Sequence, residues 1–381
     1  MSENHYIIFS ANYLPSIGGV ERFTNGLALE LARRGKQATI VTNNVYGLSD
    51  TEDISDNVSI VRLPCYPLIG GRMPIPRINK RFIELWHSIN PNNCSGILVN
   101  TRFYAHSILG LRLAKQLNIT PILLEHGSAY LTFGNQILDI FVRAYEHIIT
   151  SIDKHYPFAC YAISNRSAEW LNTFHIQASG VINNAIDASE YRSLASKRDF
   201  RKECNIPTSH LIASFTGRLT PEKGIVSLVD AFSKFEDLPI HLLIAGDGPL
   251  LSYVKQHSTK NVSALGPLQR EDVAALMSQS DVFCLPTRSE GFSTSLLEAC
   301  ACGAVPIITN VGGVDELLVD EGLGYILEDN SPRSISSALK KVIEDREQLS
   351  AKGKLCMKRV EETFSWSTVT DSFIEACAWA N

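Results

Sequence analysis

The sequence lacks the usual marks of nucleic-acid-binding, secreted and membrane-spanning proteins. Its 35 Lys and Arg residues are outnumbered by 40 Asp and Glu residues, so no basic excess is available for nucleic acid. The nine cysteines are odd in number and none are paired with the two-residue gap of a zinc or redox motif, which favours a reducing cytosol over a disulfide scaffold. The start, MSENHYIIFSANYLP, has no basic segment ahead of its apolar run, and no apolar stretch of about 18 residues is free of charges. We therefore expect neither a signal peptide nor a transmembrane helix.

What the sequence does contain is a regular alternation of short apolar runs with amphipathic segments of helical length. Continuous β-branched runs between helices are typical of parallel strands covered on both faces. The alternation comes in two blocks, which predicts an α/β protein with two Rossmann-like, doubly wound domains. The runs that we predict to be strands are HYIIFSA, QATIVT, VSIVRL, GILVN, PILLE and CYAIS in the first block, and LIASFTG, IHLLIAG, NVSALG, DVFCLP, VPIITN and GYILE in the second.

The two blocks define the predicted domains. We place the first domain at residues 1–187 and the second at residues 188–365, and we expect residues 366–381 to form a helix that packs back on the first domain. The segment Ile69–Arg81, IGGRMPIPRINKR, is rich in Gly, Pro and basic residues, which predicts a mobile loop.

The first candidate site is the stretch SEGFSTSLLEACACG, which places Glu290 and Glu298 around a helix start. Ligands bind beyond the carboxyl ends of strands in open parallel sheets, and Glu290 follows the predicted strand DVFCLP. Gly291 allows the backbone to approach a ligand closely, and a helix N-terminus attracts phosphate. Glu298, one turn inside the helix, could accept two hydrogen bonds from a ribose diol. Two alternatives stay open: Ser295 and Glu298 have the spacing of a capping box, and Glu290 could be a solvated charge.

The second candidate site is FTGRLTPEKG, where Arg218 and Lys223 follow the end of a predicted strand. An arginine fork and a lysine point charge suit a diphosphate, although surface salt bridges are an alternative. Two glycine turns follow neighbouring strands. LLIAGDGPL lacks the third glycine of a dinucleotide fingerprint and is weak evidence for NAD, and NVGGVDELL opens a helix that carries Glu316.

In order and spacing, these motifs resemble the donor domain of the family 4 retaining glycosyltransferases. Members of that family have the GT-B architecture, in which two Rossmann-like domains face each other across a cleft. FTGRLTPEKG, LLIAGDGPL and RSEGFSTSLLEACACGAVPIITNVGGVDELL carry the resemblance in the second block. In the first block, PSIGGVERFTNGLALELARRG resembles the family's glycine loop and first helix, and AISNRSAEWL and VINNAID resemble its interdomain segments. The resemblance covers nearly the whole chain and is loosest between Tyr46 and Ile119.

The resemblance implies that a glycosyl group moves from a nucleotide sugar to an acceptor hydroxyl with retention of configuration. Glu298 matches the glutamate that holds the donor ribose, and Glu290 matches the one that contacts hydroxyls of the transferred sugar. Arg218 and Lys223 match the clamp on the diphosphate. The backbone that precedes the helix matches the cradle for phosphate and sugar.

His126 and Glu125 follow the predicted strand PILLE. His126 resembles the histidine of a His-Gly pair that lies near the reacting sugar in many members, whereas a histidine after a strand is more often structural. Glu125 could point back into the domain. The implied catalytic set is His126, Arg218, Lys223 and Glu290. The implied donor-binding set, which includes the glycine loop of the first block, is Gly18, Gly19, Gly217, Arg218, Lys223, Glu290, Gly291, Phe292, Ser293, Thr294 and Glu298.

Two positions depart from the family's pattern. Many members have Pro-Asn-Gly before the aspartate of the interdomain segment, where this sequence has Asn184-Ala185-Ile186-Asp187. Ser293 stands where glycine is frequent, which bears on selectivity for the donor sugar.

On the same basis we expect a UDP-sugar donor, with a GDP-sugar as the next choice, and neither a cofactor nor a metal. The cations of the clamp can stabilise the leaving diphosphate, and the sequence has no metal-binding spacing of His or Cys. We expect a glycan acceptor, in polyprenyl-linked form, for O-antigen, capsule or exopolysaccharide synthesis. That places the protein in the cytoplasm, at the inner face of the membrane if the acceptor is lipid-linked. A nucleotide-sugar epimerase and a catalytically silent GT-B-like partner subunit are the alternatives.

One further segment bears on the membrane. It carries an apolar stripe formed by Ile137, Ile140, Phe141, Ala144, His147 and Ile148. The stripe predicts a core helix or, in the alternative, an interfacial membrane contact. The basic residues that would assist such a contact are Arg72, Arg77, Lys80 and Arg81.

Overall fold

A computed structural model describes residues 4–16, 18–132 and 136–381, and the chain divides into two compact units. Unit 1 comprises Met1–Asn184 with Trp366–Asn381, and unit 2 comprises Ala185–Ser365. The boundary therefore precedes the predicted one, which followed Asp187. The reason is local: the Ile186 N–H donates to the Phe364 carbonyl at 2.9 Å, and the Asp187 side chain caps the first helix of unit 2.

Unit 1 is built on parallel strands with helices between them. Its strands are β1 (His5–Phe9), β2 (Gln37–Asn43), β3 (Thr51–Ser55), β4 (Val58–Leu63), β5 (Cys65–Leu68), β6 (Met73–Pro76), β7 (Cys94–Asn100), β8 (Ile122–Glu125), β9 (Ala159–Ala162) and β10 (Gly180–Val181). Its helices before residue 185 are α1 (Gly19–Arg33), α2 (Lys80–Ser88), α3 (Ala105–Leu117), α4 (Gln136–Asp153) and α5 (Asn165–Leu171), and a single 3-10 turn covers Asn172–Phe174.

The main sheet of unit 1 has eight strands in the order β10-β9-β8-β7-β1-β2-β4-β3. All neighbours run parallel except β3, which pairs antiparallel with β4 at the edge. The order reverses between β1 and β7, and this is the switch point at which doubly wound sheets bind ligands. Each of the five residues of β1 is buried, as expected for a strand covered on both faces. The loops after β1, β7 and β8 thus lie where ligand contacts are expected.

The segment Ile69–Arg81 is a hairpin followed by a helix start, so the prediction of a loop throughout was wrong. β5 and β6 pair antiparallel, with Leu68 opposite Met73, and the turn between them uses positive φ angles at Ile69, Gly70 and Gly71. Met73 is buried and anchors the second strand. The prolines that argued for a loop are tolerated because this two-stranded ribbon lies outside the main sheet.

Unit 2 has the same plan with fewer strands. Its strands are β11 (Leu211–Thr216), β12 (Ile240–Ala245), β13 (Val262–Gly266), β14 (Val282–Leu285), β15 (Val305–Thr309) and β16 (Tyr325–Leu327). Its helices are α6 (Ala188–Ser193), α7 (Phe200–Glu203), α8 (Ile225–Ser233), α9 (Leu251–Gln256), α10 (Arg270–Ser278), α11 (Thr294–Ala301), α12 (Val314–Leu317), α13 (Pro332–Glu344) and α14 (Leu349–Thr363), with 3-10 turns at Pro221–Lys223 and Arg346–Gln348.

The sheet of unit 2 has the order β13-β12-β11-β14-β15-β16 and is parallel throughout. In chain order this is 3-2-1-4-5-6, the arrangement of dinucleotide-binding folds. The switch point lies between β11 and β14. The two candidate sites of the sequence follow these two strands directly.

The last helix, α15 (Trp366–Ala380), belongs to unit 1. The Trp366 ring lies 5.9 Å from the Phe23 ring of α1, and a Cβ at Gly26 would overlap it. Arg34 at the end of α1 donates to the Ser367 carbonyl at 2.7 Å. A small residue on α1 therefore makes room for the aromatic start of α15.

Candidate functional site

In unit 2, the loop after β11 is held by backbone contacts to the loop after β12. The Leu219 N–H donates to the Asp247 carbonyl at 2.8 Å. A Cβ at Gly246 would overlap the Gly217 carbonyl, and one at Gly248 would lie 2.7 Å from the Leu219 carbonyl. The two glycines of the GxG turn therefore allow two loops to approach, a structural role. Arg218, between these contacts, has an exposed side chain.

The loop after β14 is tied to the same region. The Arg288 N–H donates to the Glu222 carbonyl at 2.8 Å, and Thr287 Oγ1 donates to the same oxygen at 3.2 Å. Lys223 Nζ forms an ion pair with Glu290 Oε1, and both side chains are less than one-fifth exposed. The structure therefore brings together two residues that the sequence assigned to the diphosphate clamp and to the sugar contact.

A third loop, after β15, supports the segment that follows Glu290. Gly312 has a φ of +58°, and a Cβ there would lie 2.7 Å from the Glu290 and Gly291 carbonyls. A Cβ at Gly313 would overlap the ring of Phe292, which is 5% exposed. The side chain of Phe292 thus belongs to the core, and only its backbone is available to a ligand.

The helix that follows begins with Ser293 as its N-cap. Ser293 Oγ accepts a hydrogen bond from the Leu296 N–H at 3.2 Å, and α11 starts at Thr294. Glu298 is therefore the fifth helical residue rather than the third, so a capping box between Ser295 and Glu298 does not form. Glu298 lies half-buried one turn inside α11.

In unit 1, His126 lies just after β8 and is tied to the end of β7. Its Nε2 lies 2.8 Å from Asn100 Oδ1. Asn100 Nδ2 donates to the Phe9 carbonyl at 3.2 Å and to Thr24 Oγ1 at 3.2 Å, which identifies Oδ1 as the acceptor for the histidine. His126 therefore carries its proton on Nε2 and leaves Nδ1 as an acceptor. Desolvation lowers the pKa of His126 to about 3, so the ring is neutral at physiological pH.

Asn100 contacts the candidate residue His126 and was not predicted from the sequence. The signal was present, because the polar residue ends the apolar run GILVN at the carboxyl end of a strand. The contacts that reveal its role come from β1 and α1, about 80 to 90 residues earlier in the chain.

Glu125, next to His126, points into unit 1. It is 1% exposed, its Oε2 forms an ion pair with Arg102 Nε at 3.1 Å, and its Oε1 accepts from the Gly127 N–H at 2.8 Å. Burial raises the pKa of Glu125, and the Arg102 charge opposes that rise. Arg102 was not predicted from the sequence.

Gly18 and Gly19 lie at the start of α1, as predicted. Gly18 is the N-cap residue, with extended backbone, and a Cβ there would overlap the carboxylate of Glu21. Glu21 is 9% exposed, and burial raises its pKa. The chain's own carboxylate thus lies at this helix start. Ile17, which precedes the two glycines, lies outside the described residues.

The prediction that the apolar stripe of α4 packs into the core was wrong. The helix turns that stripe outward. The predicted stripe is exposed: Ile137 by 70%, Phe141 by 68% and Ile148 by 60%. The side that faces unit 1 includes the buried Glu146 and Asp153. Val142, Ile149 and Thr150 are buried on the same side, so the inward face of α4 is mixed and includes buried charges. The four basic residues that the prediction linked to the stripe are all exposed: Arg72, Arg77, Lys80 and Arg81. Arg81 pairs with Asp50 at 2.7 Å.

Two features are absent from the described ranges, 4–16, 18–132 and 136–381. None of the helices there is both long enough and apolar enough to cross a membrane. In the same ranges, no three His, Cys, Asp or Glu side chains are grouped so that they could hold a metal ion.

The chain is similar to known proteins over nearly its full length. Residues 17–190 match the model of glycosyltransferase family 4, and residues 196–355 match that of the glycosyl transferases group 1. An uncharacterised glycosyltransferase of Methanocaldococcus jannaschii is 24% identical over 377 residues, which cover 94% of each chain. The N-acetyl-α-D-glucosaminyl L-malate synthase of Bacillus anthracis is 25% identical over 384 residues, which cover 94% of this chain and 93% of the synthase.

A similar fold is found among solved structures. HepE of Anabaena, solved in complex with UDP-glucose, superimposes with a TM-score of 0.72 at 17% sequence identity, and the match covers 98% of this chain and 99% of HepE. Two Rossmann-like domains, each with its polar loops at the switch point, and family matches to both halves lead to one assignment. The chain belongs to the family 4 glycosyltransferases and has the GT-B fold.

Proposed function

We propose that this protein transfers a sugar, with retention of configuration, from a UDP-sugar to a hydroxyl of a lipid-linked glycan in the synthesis of a cell-surface polysaccharide. The observation that carries the donor half of the proposal is the convergence of four groups at the switch point of unit 2. Arg218 follows β11, Lys223 in the same loop pairs with Glu290, and Glu298 lies on the helix that follows β14.

The charges of this region suit a diphosphate. Lys223 and Glu290 form a neutral pair, and exposed Arg218 adds one positive charge. A donor diphosphate would compete with Glu290 for Lys223 and would also meet Arg218, while the N-terminus of α11 offers its dipole. Glu290, released in part from Lys223, could then accept hydrogen bonds from the sugar hydroxyls. In the same binding mode, Glu298 would accept hydrogen bonds from the ribose hydroxyls.

The barrier to transfer is charge separation between an oxocarbenium-like sugar and the leaving diphosphate. Fixed cations aimed at the developing negative charge lower that barrier. In the retaining route the bond from the anomeric carbon to the phosphate oxygen breaks, the acceptor oxygen bonds to the same face, and its proton passes to the phosphate. Arg218 and Lys223 meet the charge of the leaving group, so we propose a reaction that needs neither a metal nor another cofactor.

His126 would contribute from unit 1 as a neutral acceptor. Its proton is committed to Asn100, and Nδ1 remains to accept a hydrogen bond from a hydroxyl of the transferred sugar. A low pKa fits this role, because a charged imidazolium would oppose the positive charge that develops on the sugar. Gly18 and Gly19 would let the start of α1 approach the donor phosphates.

A uridine donor is favoured over a guanosine donor by likeness alone. The solved relative HepE binds UDP-glucose, and the full-length relative from Bacillus anthracis is named for transfer of an N-acetylglucosaminyl group. The name of that relative indicates the small acceptor L-malate. It therefore gives no support to a glycan acceptor, and that support has to come from features of this chain.

The lipid-linked acceptor is argued from the surface of α4. Its exposed side presents Ile137, Ile140 and Phe141, each at least 65% exposed. The turn before β6 is linked to α4 through α3: the Tyr104 hydroxyl donates to the Arg72 carbonyl at 3.4 Å, and Tyr104 is the N-cap residue of α3, which packs against α4. An apolar helix face beside basic residues is typical of a contact with an anionic membrane surface. Such a contact would place the protein at the cytoplasmic face of the membrane, where a glycan grows on a lipid carrier.

The first test is a thermal-shift measurement with UDP, GDP, ADP, dTDP and CMP. A ligand at about 100 times its dissociation constant adds about 2.7 kcal/mol to the free energy of unfolding. We expect selective stabilisation by UDP that is lost in Glu298→Ala. Selective stabilisation by GDP would change the proposed base from uracil to guanine and keep the class of donor. A folded protein that binds UDP but hydrolyses no nucleotide sugar would favour the silent partner subunit.

The second test is flotation with vesicles that contain about one-third anionic lipid. We expect binding at low salt that is weakened by salt and abolished in an Ile140→Ser, Phe141→Ser double variant. A wild-type protein that ignores these vesicles would remove the membrane contact and leave a water-soluble acceptor as the better proposal.

A further inference from the structure

A buried charge cluster lies directly behind His126 in unit 1. It consists of Arg102, Glu125, Glu146 and Asp153, each no more than 1% exposed. The Arg102 guanidinium lies between two carboxylates, with Nε 3.1 Å from Glu125 Oε2 and Nη2 3.0 Å from Glu146 Oε2. We refer to these four residues as the Arg102 cluster.

The arginine is held on its remaining sides. Its Nη1 donates to Thr150 Oγ1 at 3.2 Å, and its guanidinium carbon lies 3.4 Å from the centroid of the Phe174 ring. An arginine that stacks on an aromatic ring and pairs with two separate carboxylates has little freedom to reorient. Arg102 therefore fixes the positions of the two glutamates that it pairs with.

Each of those glutamates uses its second oxygen to hold the loop that carries His126. Glu125 Oε1 accepts from the Gly127 N–H at 2.8 Å, and Glu146 Oε1 accepts from the Leu131 N–H at 2.9 Å. The two hydrogen bonds lie at the two ends of the segment 127–131. Glu146 comes from α4, so the loop is attached both to the strand before it and to the helix after it.

Burying four ionisable groups costs free energy, and apolar residues of the same shape are often at least as stable. A buried cluster therefore suggests a role in fixing geometry. The cluster here ends in two hydrogen bonds to the backbone of one loop. Asp153, the fourth member, touches neither end of that loop, and among the described residues its two side-chain oxygens have no hydrogen-bond partner. Asp153 thus serves as an internal comparison within the same cluster.

We propose that Arg102, Glu125 and Glu146 are positioning residues that hold the segment 127–131, and through it the imidazole of His126, in the geometry required for sugar transfer. This inference rests on the proposed function for the meaning of His126, but the positioning itself is a property of unit 1 alone. Glu146 is the decisive residue, because it joins the loop to α4 and lies 20 residues from the histidine in sequence.

The test compares three variants of the full chain. Glu146→Leu removes both the ion pair and the acceptor for Leu131, Glu146→Gln restores an acceptor of the same shape, and Asp153→Asn changes a buried carboxyl of the same cluster that does not touch the loop. The first readout is the nitrogen NMR signal of His126, identified by its loss in His126→Gln. The second is the hydrolysis of the nucleotide sugar that the thermal-shift panel selects.

In the wild type we expect a His126 signal that does not titrate between pH 5 and 8. In Glu146→Leu we expect the signal to titrate near the ordinary histidine value of about 6.5, and kcat to fall at least about tenfold while the donor KM stays within about twofold. The KM is expected to hold because the residues proposed to bind the donor's diphosphate and ribose belong to unit 2. Glu146→Gln is expected to recover most of kcat, and Asp153→Asn is expected to leave kcat and the His126 signal unchanged.

A folded Glu146→Leu protein with the wild-type His126 signal and wild-type kcat would overturn the proposal. If that variant does not fold, Gly127→Ala replaces it, because a Cβ there would lie 3.1 Å from Glu125 Oε1 and displace the loop at its other end. An unchanged His126 signal in Gly127→Ala would overturn the proposal equally. A wild type that binds and hydrolyses no nucleotide sugar would instead defeat the proposed function, while the NMR comparison would still decide the positioning.

Discussion

Unit 2 presents its candidate site on loops whose charges are exposed or partly buried, whereas unit 1 has almost completely buried charges behind His126. In unit 2, glycines let loop backbones approach one another; Arg218 is exposed, and the Lys223–Glu290 pair is partly buried. In unit 1, Arg102 and its carboxylates lie behind the site. The comparison indicates that the first site is arranged for a charged ligand, and the second for a fixed geometry.

The largest expected effect tests the buried side of this comparison. Arg102→Met should lower the free energy of unfolding of unit 1 by about 3–5 kcal/mol, because Glu125 and Glu146 would remain buried without their counter-charge. All four tryptophans, at positions 86, 170, 366 and 379, lie in unit 1. Tryptophan fluorescence during denaturation therefore reports on this unit selectively.

The matched control is Arg112→Met, because Arg112 is exposed on α3. We expect a change within about 0.5 kcal/mol there. An Arg102→Met protein as stable as this control would show that the cluster contributes no net constraint and that the contrast between the two units is only one of burial.

The next effect tests the exposed side. Arg218→Ala should lower kcat/KM for donor hydrolysis by about 10²-fold, since removal of one preorganised electrostatic group typically costs 10²- to 10³-fold. Its denaturation curve should match the wild type, because the side chain is exposed. Arg333→Ala, exposed on α13, is the control. Full activity in Arg218→Ala would remove Arg218 from the diphosphate clamp.

The third prediction sharpens the comparison by pH. Burial raises the pKa of Asp153 from 3.8 to about 8; the charge of Arg102 opposes this rise and that of Glu125 adds to it. Its other close neighbours are Glu146, through the shared Arg102, and Cys160, whose thiol pKa is also raised by burial. A folded-state pKa above the unfolded value means that the folded protein holds a proton that the unfolded chain releases.

The stabilising effect of that proton is complete below pH 4 and is lost as the pH rises towards 8. The unfolding free energy of the wild type, minus that of Asp153→Asn, should therefore fall by about 1 kcal/mol per pH unit between pH 5 and 8. Denaturation at each pH, followed by tryptophan fluorescence, measures it. A difference that does not change with pH would show that Asp153 is ionised in the folded protein.

The smallest effect compares the two faces of one helix. Ile140→Ser should change the unfolding free energy of unit 1 by less than about 0.5 kcal/mol, because the side chain is 65% exposed. Val142→Ser, two residues later and buried, should cost about 1–3 kcal/mol. Equal effects at the two positions would mean that the apolar face of α4 is covered in solution.

The donor site could be predicted closely because its residues are contiguous. FTGRLTPEKG and SEGFSTSLLEACACG each follow a strand directly, and parallel strands bring their carboxyl ends to one edge. The pairing of Lys223 with Glu290 could not be predicted, since it depends on how two loops approach through Gly224 and Gly312. The same holds for the roles of Gly246 and Gly248, which serve loop packing.

The surroundings of His126 could not be predicted, because their contacts are distant in sequence. Asn100 is oriented by Phe9 and Thr24, and Arg102 joins residues 23 and 44 positions further along the chain. No local pattern encodes such a cluster. The apolar stripe of α4 illustrates the same limit, because the helical period fixes which residues share a face but not which face turns inward.

The sequence by itself determined two doubly wound α/β domains, the strands that carry the site loops, and the residue types that meet a diphosphate, because periodicity and loop chemistry are local properties. Only the tertiary structure decided the tautomer of His126, the neutral pairing of Lys223 with Glu290, and the inversion of α4. Each of these depends on partners from distant segments. In α4 the pairing of Glu146 with Arg102 outweighs the burial of Ile137, Ile140 and Ile148, since an unpaired buried charge costs more free energy than exposed apolar surface.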